Sequence, residues 1–140
     1  MSRRRVVVTG LGAVSPVGNT VADAWANVTA GRSGIGPITR FDAATFTSKI
    51  AGEVRGFDVS EYLSGKEARR MDLFIHYGMA AGIQAVRDSG IVINDENSTR
   101  IGVNIGSGMG GLPLIEETHG DFVDGETKRR MPHAVRRQIN

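Results

Sequence analysis

Arg3-Arg4-Arg5-Val6-Val7-Val8-Thr9-Gly10-Leu11-Gly12 reads as a strand from Arg3 to Thr9 that stops on a glycine turn. Three consecutive β-branched residues without polar alternation suit a strand covered on both faces, as in the interior of a mainly parallel sheet. Beyond Ser15-Pro16-Val17-Gly18-Asn19 the period becomes helical. Asn19 or Thr20 can cap the free amides, Val21, Ala24, Trp25 and Val28 share one face, and Gly31 stops the helix. A second interior strand is expected over Arg100 to Ile105, leading into Gly106-Ser107-Gly108-Met109-Gly110-Gly111 and a helix from Leu112. Strand, helix and strand in alternation argue for an α/β fold.

Between these elements, residues 31 to 58 are glycine-rich and irregular. Phe41, Phe46, Ile50, Val54 and Phe57 are spaced as anchors by which a loop and short strands would pack on the core. A further helix is expected to begin within Ser64 to Asp72 and to run to Ser89, where Gly90 can take the left-handed conformation that ends a helix. Its stripe of Phe74, Tyr77, Gly78, Ala81, Gly82 and Ala85 is built mostly of small residues. Such a surface allows backbones to approach closely, which places this helix at a tight packing seam.

Composition narrows the function classes. Of the 140 residues, 40% are hydrophobic and 23% charged, and no apolar run approaches the roughly 20 residues of a membrane span. The basic start is followed too soon by Thr9-Gly10-Leu11-Gly12 to form a secretory leader, so a cytoplasmic protein of one domain is expected. With no cysteine, disulfides and thiolate metal sites are excluded. His76, His119 and His133 are too scattered to suggest a metal cluster, so neither metal nor cofactor is expected. Lys128, Arg129, Arg130, Arg136 and Arg137 supply five of the 17 basic residues, leaving 12 against 15 acidic ones before them. This tail has no aromatic residue to stack on bases, and nucleic-acid binding is not expected.

Gly106, Gly108 and Gly111 match the spacing G-x-G-x-x-G directly after an expected strand. A dinucleotide site would also need an acidic residue at the end of a second strand about 20 residues on. Asp121, Asp124 and Glu126 lie in a polar stretch without a strand pattern, so a tight, backbone-exposing turn is the favoured reading.

Six segments in order resemble one family: Arg4-Arg5-Val6-Val7-Val8-Thr9-Gly10-Leu11-Gly12, Ser15-Pro16-Val17-Gly18-Asn19, Gly31-Arg32-Ser33-Gly34-Ile35, Lys66-Glu67-Ala68-Arg69-Arg70-Met71-Asp72, Asp88-Ser89-Gly90 and Ile105-Gly106-Ser107-Gly108-Met109-Gly110-Gly111. Together they look like the amino-terminal part of the bacterial β-ketoacyl-acyl-carrier-protein synthases II, the condensing enzymes of fatty acid biosynthesis. The resemblance covers residues 1 to 126. It implies the thiolase fold, with α-β-α-β-α layers, of which this chain would hold most of the first βαβ half, and a homodimer for the complete protein.

The reaction the resemblance implies is a decarboxylative Claisen condensation of an acyl thioester with malonyl-acyl-carrier protein. It runs through a cysteine thiolate supported by two histidines, all of which the family places after the matched region, so no catalytic residue is carried over and the chain alone is expected to be inactive. Lys66, Arg69 and Arg70 match the family's patch for docking the acidic carrier protein. At i, i+3 and i+4 they would share one helical face and could meet carboxylates or the phosphopantetheine phosphate. Met109 matches an apolar gate at the base of the acyl pocket, a role suited to a flexible side chain. Gly106, Ser107, Gly108, Gly110 and Gly111 are expected near both pocket and dimer interface.

Residues 127 to 140 depart from the resemblance, since arginines and His133 stand where an aromatic core segment is expected. A shifted reading frame, a truncation or a divergent loop would each give such a tail. The alternative function is a non-catalytic module that binds acyl-carrier protein or the synthase itself. Interior strands without partners would leave edges exposed, so the isolated chain is expected to be marginally stable or to aggregate.

Overall fold

The computed structural model describes residues 4–123. They fall into two compact units: one takes the residues up to Asp58 together with Ala80–Asn94, the other Val59–Met79 and the residues from Asp95 on.

In the first unit, α1 spans Val21–Thr29. Thr20 caps it: its hydroxyl accepts from the Asp23 amide at 3.1 Å and donates to the Asp23 carboxylate at 2.8 Å. Gly31, at φ 69°, turns the chain away as its sequence position predicts. Val21 and Ala24 are half-buried, whereas Trp25 is 68% exposed and Val28 is exposed as well, so the expected apolar face is covered only in part.

The short strands expected in residues 31 to 58 are β1 (Ile35–Pro37) and β2 (Ile50–Gly52). They pair antiparallel with Ile35 opposite Gly52 and Pro37 opposite Ile50. Beyond the ladder, the Thr39 amide and hydroxyl donate to the two carboxylate oxygens of Glu53 at 3.0 and 2.7 Å. Those bonds, the backbone one first, hold the Glu53 carboxyl below its ordinary pKa. Of the five expected anchors only Val54 and Phe57 are half-buried. Phe41 and Phe46 meet each other edge to face, 5.3 Å between ring centres, yet both stay exposed, as does Ile50.

The helix expected to end at Ser89 does so, and Gly90 takes φ 63°. Its start is divided: α2 is the single turn Gly65–Ala68, and α3 runs Leu73–Ser89, with Leu73–Met79 in the second unit and Ala80–Ser89 in the first. Asp72 begins the new helix, its carbonyl taking the amides of Ile75 and His76. The second unit also holds α4, Leu112–Val123, beginning where the sequence expects a helix.

The small-residue stripe performs as its composition predicts within the first unit. A methyl group on Gly12 would strike the Ala81 carbonyl oxygen, and one on Gly10 the Ala85 carbonyl oxygen, so α3 takes bare backbone against it. Ala80 is fully buried beside this seam, and only Leu63 joins it as a buried apolar residue among those described.

Both expected interior strands are overturned. Residues 4–9 and 101–105 are not strands, and Arg100 closes a 3-10 turn over Ser98–Arg100. Val6 is 91% exposed and Val103 85%. The reason is physical: a strand is made by its partner's ladder, and β1–β2 is the whole sheet among the described residues. A valine run states what a segment needs on either side, not that the neighbours are present.

Candidate functional site

Lys66, Arg69 and Arg70 lie on and just after α2, in the second unit, and all three are exposed. None is engaged in an ion pair among the described residues. The helical face expected for them is one turn long. Arg69 is its C-cap with α-helical φ and ψ, and the Arg70 amide reaches back to the Glu67 carbonyl at 2.9 Å.

A four-residue helix carries too few hydrogen bonds to persist by propensity. This one is held by a capping box. The Ser64 hydroxyl accepts from the Glu67 amide at 3.3 Å, while the Glu67 carboxylate accepts from the Ser64 amide at 3.1 Å and its hydroxyl at 2.6 Å. The Ser64 side chain first, then its backbone, holds the Glu67 carboxyl below its ordinary pKa. Glu67 is thereby bound to its own helix start, and its charge is not spent on the neighbouring cations.

The glycine turn lies in the same unit. Gly110 and Gly111 adopt φ 47° and 65°, conformations that disfavour any other residue. The Phe74 ring occupies the space a Gly110 side chain would need, and the Asp72 carboxylate oxygen Oδ2 lies 3.3 Å from where a Gly111 methyl would stand. That oxygen is buried without a hydrogen-bond partner among the described residues. Asp72 and Phe74, which follow directly on the basic turn, thus bring the glycine turn and the start of α3 together. Sequence reasoning named Asp72 and Phe74 only as motif and stripe; their role against the turn was not legible.

Met109 is 73% exposed, so the described residues form no pocket over the expected gate. Gly106 and Gly108 lie outside the left-handed region and have open space around them. Asp121 lies within α4 and not at a strand end, while Asp124 and Glu126 fall outside the described residues. Among the described residues, no acidic side chain after the turn stands at a strand end.

The histidines divide similarly. His76 lies in the first turns of α3, half-buried, with Nε2 2.9 Å from the Ala68 carbonyl oxygen. His119 is exposed on α4, and His133 lies outside the described residues. No group of three His, Asp or Glu among the described residues could hold a metal ion, and no described helix is long and apolar enough to cross a membrane.

With α/β elements, a glycine turn set against α3 and an exposed basic turn in place, the family can be stated: the chain belongs to the β-ketoacyl synthases, matching the model of their N-terminal domain over residues 3–139. That match runs past residue 126, where the segment-by-segment resemblance stops. Among its relatives, a 3-oxoacyl-[acyl-carrier-protein] synthase 2 of Vibrio cholerae is 55% identical over 135 residues, covering 96% of this chain and 33% of the relative. Its namesake in Staphylococcus aureus is 43% identical over 132 residues, covering 94% of this chain and 32% of the relative. The chain therefore spans about a third of the length of the curated relatives it matches. The solved structure of the ishigamide ketosynthase/chain length factor superposes with a TM-score of 0.59 at 40% identity, over 65% of this chain and 23% of that one.

Proposed function

We propose that this chain is part of a 3-oxoacyl-acyl-carrier-protein synthase and contributes the surface on which the carrier protein docks. In this reading Lys66, Arg69 and Arg70 meet acidic groups of the carrier or its phosphopantetheine phosphate. The observation that carries it is the exposed basic turn, without an ion pair among the described residues and started by the Ser64–Glu67 box, in a chain of this family. Guanidinium groups on a fixed turn suit paired contacts with carboxylate or phosphate.

The condensation itself needs an acyl thioester on a cysteine, and these 140 residues contain none. The chain therefore contributes docking and scaffold, and the thiolate and its supporting histidines are supplied by polypeptide outside this sequence. Met109, between Gly108 and Gly110, is assigned the gate of the acyl pocket, with walls supplied from outside the described residues. The thiolase layers, with this chain as most of the first βαβ half, a homodimer and a cytoplasmic location belong to the same proposal.

Titration of the chain with phosphopantetheine-bearing acyl-carrier protein tests the reading. Saturable binding that is lost on reversing Arg69 and Arg70 to glutamate supports it, and binding indifferent to those charges overturns it. Retention of that binding without any condensing activity in the complete protein would favour the non-catalytic module.

A further inference from the structure

We propose that His76 is a positioning residue for the basic turn, acting through the Ala68 carbonyl; the inference rests on the docking reading above. Lys66 is placed by the capping box at the start of α2, but the arginines lie beyond its end. The bond that places Arg69, from its amide to the Gly65 carbonyl, is long at 3.4 Å. Arg70 and Met71 are held by three-residue closures onto Glu67 and Ala68, at 2.9 and 3.2 Å. Such closures are poorer than helical ones and do not extend into a further turn.

The Ala68 carbonyl is where this weak end is secured. It accepts the Met71 amide and, at 2.9 Å, the His76 ring. A carbonyl only accepts, so His76 must carry a hydrogen on Nε2, and both lone pairs of the oxygen are used. The ring itself stands on α3, whose start is fixed by the Asp72 carbonyl taking the His76 amide at 3.3 Å. A long helix thus holds the last carbonyl of a short one, and the two residues that follow that carbonyl are Arg69 and Arg70. A partner that needs both guanidinium groups in register pays less ordering entropy when the turn is already set.

The test compares His76→Gln with His76→Met in the full chain. The side chains are of similar length, but only glutamine offers an N–H. Carrier protein should bind H76Q within about twofold of the native chain and H76M about fivefold more weakly, as expected for one lost hydrogen bond that orders a binding-competent state. Amide exchange should speed up at Arg70 and Met71 in H76M and be restored in H76Q. Equal binding by H76M, with binding still lost in R69E/R70E, overturns the positioning role and leaves docking intact. Unaltered binding by R69E/R70E overturns both. If H76M does not fold, the native chain decides, because a Met71 amide exchanging as fast as an unstructured peptide rules the clamp out.

Discussion

Val6-Val7-Val8 and Gly10-Leu11-Gly12-Ala13 are neighbours in one segment and have opposite fates. The valines carry the stronger strand signal, and all three stay exposed without a ladder. The glycine stretch has little apolar surface, yet it is bound along its length to α3. The Leu11 amide donates to the Asp88 carboxylate at 2.8 Å and the Ala13 amide to the Gln84 side-chain oxygen at 3.2 Å. Gln84 in turn donates to the Asn19 carbonyl at 2.8 Å. Backbone groups that would otherwise need a strand are satisfied by two helix side chains, and the absence of Cβ atoms at Gly10 and Gly12 lets the backbones come close enough. Attachment here follows from what α3 offers within reach; apolar character alone secures nothing.

The sharpest way to break this contrast is Gly12→Ala. The added methyl would strike the Ala81 carbonyl, which belongs to a helix backbone and cannot turn aside as a side chain would. Overpacking of this kind should cost about 3 kcal/mol or more. With Leu63 and Ala80 as the buried apolar residues among those described, that loss should abolish a cooperative thermal transition followed by circular dichroism. A transition unchanged in G12A would mean that the glycine seam is open.

Gln84→Ala tests the polar half of the attachment. It leaves the Ala13 amide and the Asn19 carbonyl without this partner, at a cost of about 2 kcal/mol. Denaturant unfolding should show the loss, while Gln84→Glu, which keeps the acceptor for Ala13 and removes the donor for Asn19, should lie between. Gly90→Ala probes the end of the same helix, where φ 63° disfavours a side chain, and about 1 kcal/mol is expected.

A subtler test uses pH. The Thr39–Glu53 staple lowers the Glu53 carboxyl below its ordinary 4.5. A depressed folded-state pKa contributes stability that is present above the unfolded value and is lost as pH falls through the folded one. The staple should therefore loosen only in acid, below pH 4.5, and the carboxyl resonance of Glu53 should titrate there. Glu53→Gln should remove that dependence and leave the Gly12 seam unaffected.

What was legible in the sequence follows from reach along the chain. The Thr20 cap, Gly31, the end of α3 at Ser89 with Gly90, and the start of α4 at Leu112 are set by residues within a few positions, and all are found. The close-approach stripe was readable because Ala81 and Ala85 repeat at helical spacing. Gln84 and Asp88 were not recognised as anchors, although two polar residues four apart beside a small-residue stripe are the available signal. Asp72 could likewise have been read as a helix start that divides α2 from α3. The strands over Arg3 to Thr9 and Arg100 to Ile105 failed for another reason. Their composition describes an environment with neighbours on both sides, which those residues cannot specify by themselves. Lys66, Arg69 and Arg70 were legible as a basic cluster, and Ser64 with Glu67 three residues on is the available signal for the box that starts the turn, whereas the contact of His76 with the Ala68 carbonyl became visible only in three dimensions.

The smallest expected effect is the most direct test of the comparison. Replacing Val6 and Val8 by threonine keeps the β-branched shape and removes apolar surface from positions that are 91% and 79% exposed. If the valines are as unsupported as the structure has them, unfolding of the chain should change by less than about 0.5 kcal/mol. Self-association should fall, because an exposed apolar segment whose amides and carbonyls have no ladder partner among the described residues is a template for pairing with another copy. Sedimentation velocity across a concentration series would report the second effect and denaturant unfolding the first. A cost well above 1 kcal/mol, on the scale of lost buried apolar groups, would mean instead that the valines are covered in solution. The contrast between neighbours would then disappear, and Val6-Val7-Val8 would be as firmly attached as the glycines that follow it.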